Sequence, residues 1–496
     1  MTVARVHAAR PGGAPAARVA REPLLGPVAG FRRPALTAAL CAVAGGAIAG
    51  AGLVYGPAVA LAGMAVALCG VFVLRRPLAG AYLLVALVPI LSGLRRDLPV
   101  PGLRLSELIV AGLAALLLAT VETRRALPWS LFDWTALAYC VATLVLGTAA
   151  MLDRGAPMTL DAISTLAGPF QFLLLYRAVL AVVSTEAERR RALALVLLAS
   201  VPVSVIALLQ FAGIGGLTDT LNSITGAEGL VVHTEEEGIE QRTTGVFPHW
   251  QMLAGYLFVV VVAGLGALLA PGRGALPRWL CAAVTLLALA AMISTGTFVT
   301  AFGAVAAAFA LGAWYGRLGR VVAGLGAAAA GAAALFGSLI AERVAFSFAA
   351  APGADREAFI PQSIAYRIEL WTGELLPAIA GRWLTGWGPE LPSSLSFEHT
   401  ESMYLTLLFR GGVPLLLVYG ALMLALAGAA WRLAGRPARP FERMLGRVTF
   451  TLVATLAVLH LLEPYFVTSG LPHLVWILAG LAMSGLHDAP GRPRAA

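Results

Sequence analysis

The sequence predicts an all-α polytopic helical membrane protein of about 12–14 transmembrane helices with two long extracytoplasmic loops, and three observations carry that prediction. Of its 496 residues, 59% are hydrophobic and only 12% are charged, and the mean hydropathy of +0.84 lies well outside the range of soluble globular chains. Apolar stretches long enough to cross a hydrocarbon layer recur along the chain. The arginines fall unequally on the connectors between those stretches.

Spans are expected near 35–54, 57–74, 78–93, 105–121, 130–150, 162–183, 191–214, 249–270, 279–295, 297–313, 320–340, 402–430, 448–463 and 471–486. Residues 1–34 are rich in Arg, Ala, Pro and Gly, with little apolar content and no cleavable signal, and read as a disordered cytoplasmic tail. Residues 35–214 form an N-terminal transmembrane bundle, and 215–430 a core carrying the loops 215–248 and 341–400. The closing helices and a cytoplasmic tail occupy 431–496. Loops longer than about 15 residues are usually functional or disordered, and these two hold the concentrated chemistry.

All 35 basic residues are Arg, and the net charge of +9 by itself suits a nucleic-acid partner. Their distribution excludes one: 24 lie on the connectors that share a side with both termini, nine lie on the other side, and Arg177 and Arg410 fall inside apolar segments. By the positive-inside rule both termini are cytoplasmic. Cys41, Cys69, Cys140 and Cys281 stand singly in apolar segments, without the spacing of a metal site or a disulfide framework, and read as packing residues.

Read as a helix at about 100° per residue, the segment from His399 places Ser402, Thr406 and Arg410 with it on one polar stripe of an apolar span. An Arg within a span faces protein or an aqueous cavity rather than lipid, and Arg410 can also bond carbonyls freed near Gly411, Gly412 and Pro414. The first loop carries His233, the acidic run Glu235–Glu236–Glu237 and then Arg242, His249 and Gln251 at the start of a span. The acidic run reads as solvent-facing rather than as a metal site. The second loop carries Arg367, Gly386 and Gly388 and ends at His399. His460, Glu463, Tyr465 and His473 bracket a short outer loop and can join the same cavity.

Four segments, RTTGVFPHWQMLAGYL (242–257), STGTF (294–298), RIELWTGELLPAIAGRWLTGWG (367–388) and HTESMYLTLLFRGGVPLLL (399–417), resemble the O-antigen ligase and O-antigen polymerase superfamily of integral membrane glycosyltransferases. Gly411 keeps the ligase spacing from His399. Glu401 stands where ligases carry Asn, Ser or Gln, and Pro414 where they carry Gly, Thr or Tyr, so the resemblance is to the wider superfamily. It implies a bacterial cytoplasmic membrane enzyme. The enzyme takes a glycan from an undecaprenyl-pyrophosphate carrier and joins it, with inversion and on the outer face, to a hydroxyl of a glycan, lipid or protein acceptor.

No cofactor and no metal are expected, because Arg242 and Arg367 supply planar donor forks for pyrophosphate oxygens and His399 can accept the proton of the attacking hydroxyl. His249, Glu401, Tyr404, Arg410, Gly386 and Gly388 are the expected substrate-binding residues. Two other classes fit a polytopic chain with intramembrane arginines: a transporter of a small anion, and a scaffold subunit of a polysaccharide export system.

Overall fold

The computed structural model describes residues 70–73, 75–96, 104–121, 128–227, 231–234, 238–272, 274–348, 362–392, 395, 400–436, 439–467 and 469–488. The chain divides into two units, Met1–Arg76 and Pro77–Ala496. In the first, residues 70–73 are helical and the Arg76 guanidinium lies over the Phe72 ring. The expected spans 35–54 and 57–74 fall almost wholly outside the described residues.

The second unit is helical. Its elements are α1 (Pro77–Leu91), α2 (Leu105–Ile109, continued through a π-helical turn Val110–Ala114 into Ala115–Val121), α3 (Leu131–Asp153), α4 (Leu160–Val182), α5 (Glu186–Phe211) and α6 (Leu217–Thr225). A short antiparallel hairpin, β1 (Val231–Thr234) with β2 (Gly238–Gln241), pairs His233 with Ile239. Then come α7 (Trp250–Leu269), α8 (Arg278–Ile293), α9 (Phe298–Trp314), α10 (Leu318–Phe348), α11 (Gln362–Leu370, continued through a π-helical turn Trp371–Leu375 into Leu376–Ile379), α12 (Met403–Ala434), α13 (Pro440–Leu459) and α14 (Leu471–His487). Each of the twelve windows expected from residue 78 onward is a helix. Among the described residues six helices, α3, α4, α5, α7, α10 and α12, are long and apolar enough to cross a membrane, and α1, α2, α8, α9 and α14 are shorter apolar helices. The molecule is a polytopic helical membrane protein.

Local chemistry sets the helix starts. Ser130 caps α3 by accepting from the Asp133 amide while the Asp133 carboxylate accepts from the Ser130 amide, and Thr185 and Glu188 repeat this capping box on α5. Asp133 has a second task, because its Oδ1 takes the Arg177 guanidinium at 2.9 Å inside the bundle. That pair accounts for one of the two arginines in apolar segments, since a charge held out of water needs a partner. Cys140 and Cys281 are buried and unpaired, as expected of packing residues, while Cys41 and Cys69 lie outside the described residues.

Three expectations change. The connector 341–400 is shorter than its sequence suggests, because α10 continues to Phe348 and α11 rebuilds helix from Gln362. The connector 215–248 holds α6 and the hairpin. α12 starts at Met403 rather than at His399. Ser402 is extended at φ −157° and ψ 133°, and the His460 carbonyl accepts from the Met403 amide at 2.9 Å and from Ser402 Oγ at 3.2 Å. The helical stripe therefore keeps Thr406 and Arg410, and Ser402 stands before it as the N-cap residue.

α12 is broken at Gly411 (φ −161°) and Gly412 (φ 69°, ψ −167°). The freed backbone groups are met by the segment after α11: the Phe409 carbonyl accepts from the Trp387 amide at 2.5 Å and the Gly388 amide at 3.1 Å, and the Val413 amide donates to the Trp383 carbonyl at 2.7 Å. Non-helical backbone within a span is tolerated only where protein or water satisfies it.

Candidate functional site

The hydrophobic cluster of Leu370, Leu375, Ile379 and Phe409, with Trp371, Trp387 and Leu405 packed around it, fixes α11 against the upper end of α12. Trp371 Nε1 donates to the Thr400 carbonyl at 3.1 Å and ties the residue that follows His399 to the same helix. One turn before Trp371, the buried Arg367 faces two glutamate side chains. Its Nη2 donates to Glu401 Oε2 at 2.9 Å and to Glu463 Oε1 at 3.0 Å.

Glu463 sits in the connector after α13, which ends at Leu459 rather than extending to 463 as expected. Gln251 Nε2 donates to the same Oε1 at 2.7 Å. Burial pushes the Glu463 carboxyl up to about 8, Glu401 pushes the same way, and Arg367 and Gln251 oppose them. Gln251 follows His249, whose Nδ1 caps α7 by accepting from the Gln251 amide at 3.2 Å. The Arg242 guanidinium lies 4.4 Å from the centroid of the Trp250 ring, and the His249 ring is 3.9 Å from that same ring. Gln251, Arg367, Glu401 and Glu463 thus form one bonded cluster, built from the start of α7, the middle of α11, the entry to α12 and the exit from α13, and Arg242 and His249 pack on Trp250, the residue before Gln251.

A groove of about 720 Å³ begins at Arg367 and runs between α9 and α13. Apart from Thr451, Thr455 and Arg367 its lining is apolar or aromatic, including Phe298, Phe302, Val458 and Leu459 near its mouth and Trp314 and Phe450 at its far end. From Phe298 to Trp314 the wall is about 24 Å long at 1.5 Å per helical residue. Phe302 and Val458 are 72% and 63% exposed, so the groove opens sideways. The far end is closed by the aromatic contacts of Trp314 with Trp431 and Phe450 and by Arg447, which bonds the Trp314 carbonyl. The arrangement offers an apolar trough to a chain and a cation to whatever terminates it.

The other expected residues lie apart from this assembly. Tyr404 turns to α13, its hydroxyl donating to the Ala457 carbonyl at 2.5 Å. Gly386 (φ 68°) and Gly388 (φ 94°) belong to the segment docked on the α12 break, where a Cβ on Gly386 would stand 2.5 Å from the Phe409 carbonyl oxygen. Arg410 lies about 10 Å deeper along α12, at 1.5 Å per residue from Met403. Among the described residues no carboxylate pairs with it. The Phe409 carbonyl at the break is met by the backbone amides of Trp387 and Gly388.

His399 and the acidic run Glu235–Glu236–Glu237 lie outside the described residues. Among the described residues no group of three His, Cys, Asp or Glu side chains is gathered as a metal site. Of the residues bracketing the short outer loop, Glu463 joins the Arg367 cluster. His460 lies buried beneath it with Nδ1 2.9 Å from the Tyr419 hydroxyl, and His473 is buried against Phe172. Glu463, which the sequence offered only as a residue able to join the cavity, is the strongest addition to the expected catalytic and substrate-binding residues. Its cue was an acidic residue at the end of an apolar window. Neither a protein-family model nor a curated protein sequence matches the chain.

Proposed function

We propose that the protein is a membrane glycosyltransferase that moves a glycan from a polyprenyl-pyrophosphate carrier to an acceptor hydroxyl on the outer face of a bacterial cytoplasmic membrane. The observation that carries this reading is the groove: a laterally open apolar trough about 24 Å long that ends on the buried Arg367. A polyprenyl tail needs the trough, and a pyrophosphate needs a cation that never loses its proton and offers parallel donors. Arg242, held over Trp250, the residue before Gln251, is the second such donor.

In this reading the acceptor oxygen attacks the anomeric carbon, the bond from that carbon to the phosphate oxygen breaks, and the electron pair leaves with the lipid pyrophosphate. Arg367 and Arg242 stabilise the charge that develops there. His399 takes the proton of the attacking hydroxyl. The sequence itself supports its assignment: His399 immediately precedes Thr400, which α11 holds beside the Arg367 cluster. Outward orientation follows from the arginine split, because the Arg367 end of the bundle is the arginine-poor one.

Filling the trough tests this. Ala454 lines the groove and is exposed to it, so Ala454→Trp should leave membrane abundance unchanged while abolishing capture of a photoreactive polyprenyl pyrophosphate by the purified protein. Undiminished capture at equal abundance would remove the groove from the function.

A further inference from the structure

The two glutamate side chains that Arg367 meets are not equivalent. Glu463 is 3% exposed in its side chain and doubly held, by Arg367 and by Gln251. Glu401 is 24% exposed, and among the described residues its carboxylate bonds Arg367 alone. Its backbone differs too. Among the described residues Glu401 is the one residue other than glycine with positive φ, at 51°. A left-handed conformation costs an L-residue free energy, and Glu401 carries that cost in the state that bonds Arg367, whereas Glu463 has no positive φ.

These facts describe one fixed partner and one removable partner for a cation that stands at the mouth of an apolar trough. Resting on the lipid-pyrophosphate reading, we infer that Glu401 is a displaceable latch: it occupies Arg367 as an internal anion and must swing away before a lipid phosphate can bind there. Glu463 stays, keeping the guanidinium aimed at the mouth. The ligand class is a phosphate or pyrophosphate monoester on a long apolar chain, and Glu401 sets its affinity without touching the bound ligand.

A latch has a signature that a static charge lacks. If only the open form binds, every ligand that uses Arg367 is weakened by the same factor, the open fraction. A carboxylate that stayed in place would instead repel a pyrophosphate more than a monophosphate, because repulsion scales with ligand charge. Glu401→Gln removes both effects, and Glu401→Asp separates them: it keeps the charge but withdraws the carboxylate by one methylene, which loosens the latch.

The measurement is the Kd of farnesyl pyrophosphate and of farnesyl phosphate for the full-length protein in nanodiscs, for wild type, Glu401→Gln, Glu401→Asp and Arg367→Gln, with thermal unfolding midpoints taken alongside. The latch predicts that Glu401→Gln tightens both ligands by one common factor, on the order of tenfold, that Glu401→Asp tightens both in the same sense, and that Arg367→Gln weakens both. A larger gain for the pyrophosphate than for the monophosphate, with no gain in Glu401→Asp, would make Glu401 a fixed repelling charge and overturn the latch. Unchanged affinities in both Glu401 variants, with Arg367→Gln still weakening binding, would overturn the latch while leaving the lipid-phosphate site standing. No binding of either lipid to wild type or to a folded Glu401 variant would remove the site and the latch together.

Discussion

Burial holds the Glu463 carboxyl at about 8, with the charge of Glu401 adding to the shift and Arg367 and Gln251 working against it. Between its ordinary value of 4.5 and about 8, the folded protein keeps a proton there that the unfolded chain has lost. Folding stability therefore falls as pH rises across that window and levels off above it. The unfolding midpoint of wild type should decline between about pH 5 and about pH 8, and Glu463→Gln, which cannot ionise, should flatten that decline. An undiminished slope in Glu463→Gln would assign the titration to another group. Arg367, Glu401 and His249 were legible in the sequence because polar residues beside spans stand out against an apolar background. Their partner was harder to see. Nothing in the local sequence around Glu463 says that a residue 96 positions away will reach it, since the contact depends on how four helix ends converge.

At the scale of elements, twelve helices are readable from hydropathy because a span has to be continuous and apolar. The start of α12 is not, because it is set by the His460 carbonyl from another element. The break within α12 shows in Gly411, Gly412 and Pro414, but its partner segment does not, since backbone amides carry no sequence label. Gly412 has no room for a side chain: its φ is 69°, and a Cβ would stand 2.5 Å from the Trp383 carbonyl oxygen. Gly412→Ala should cost at least about 1–2 kcal/mol from the left-handed conformation alone, read as a lowered unfolding midpoint and reduced membrane abundance. A midpoint equal to wild type would mean that the docked segment contributes nothing to the fold.

Within the unit Pro77–Ala496, charged side chains gather in separate clusters at helix ends. In one, Arg189 and Glu442, both fully buried, pair at 2.7 Å, and Asp488 joins the same guanidinium at 3.1 Å, clamping the starts of α5 and α13 to the end of α14. Arg317 holds the end of α7 by bonding the Leu269 carbonyl. Another cluster holds Arg367, Glu401 and Glu463, and Arg242 packs on Trp250. The arginine split anticipates this clustering because short connectors inherit the charge of their side. Hydropathy alone does not reveal the groove between α9 and α13, because its lining has the same apolar composition as a lipid-facing wall.

Reconstitution tests whether the Arg367 end transfers glycans. Purified protein is supplied with an undecaprenyl-pyrophosphate glycan and candidate acceptors in the presence of a chelator, and transfer is followed for wild type, His399→Ala and Arg367→Lys at equal abundance. Wild-type transfer should survive the chelator, His399→Ala should lose on the order of 10²–10⁴-fold, and Arg367→Lys, which keeps the charge but not the fork, should lose markedly. Equal rates in all three proteins would contradict the assignment of the site, and absence of transfer with every acceptor, alongside solute uptake into proteoliposomes, would contradict the enzyme itself.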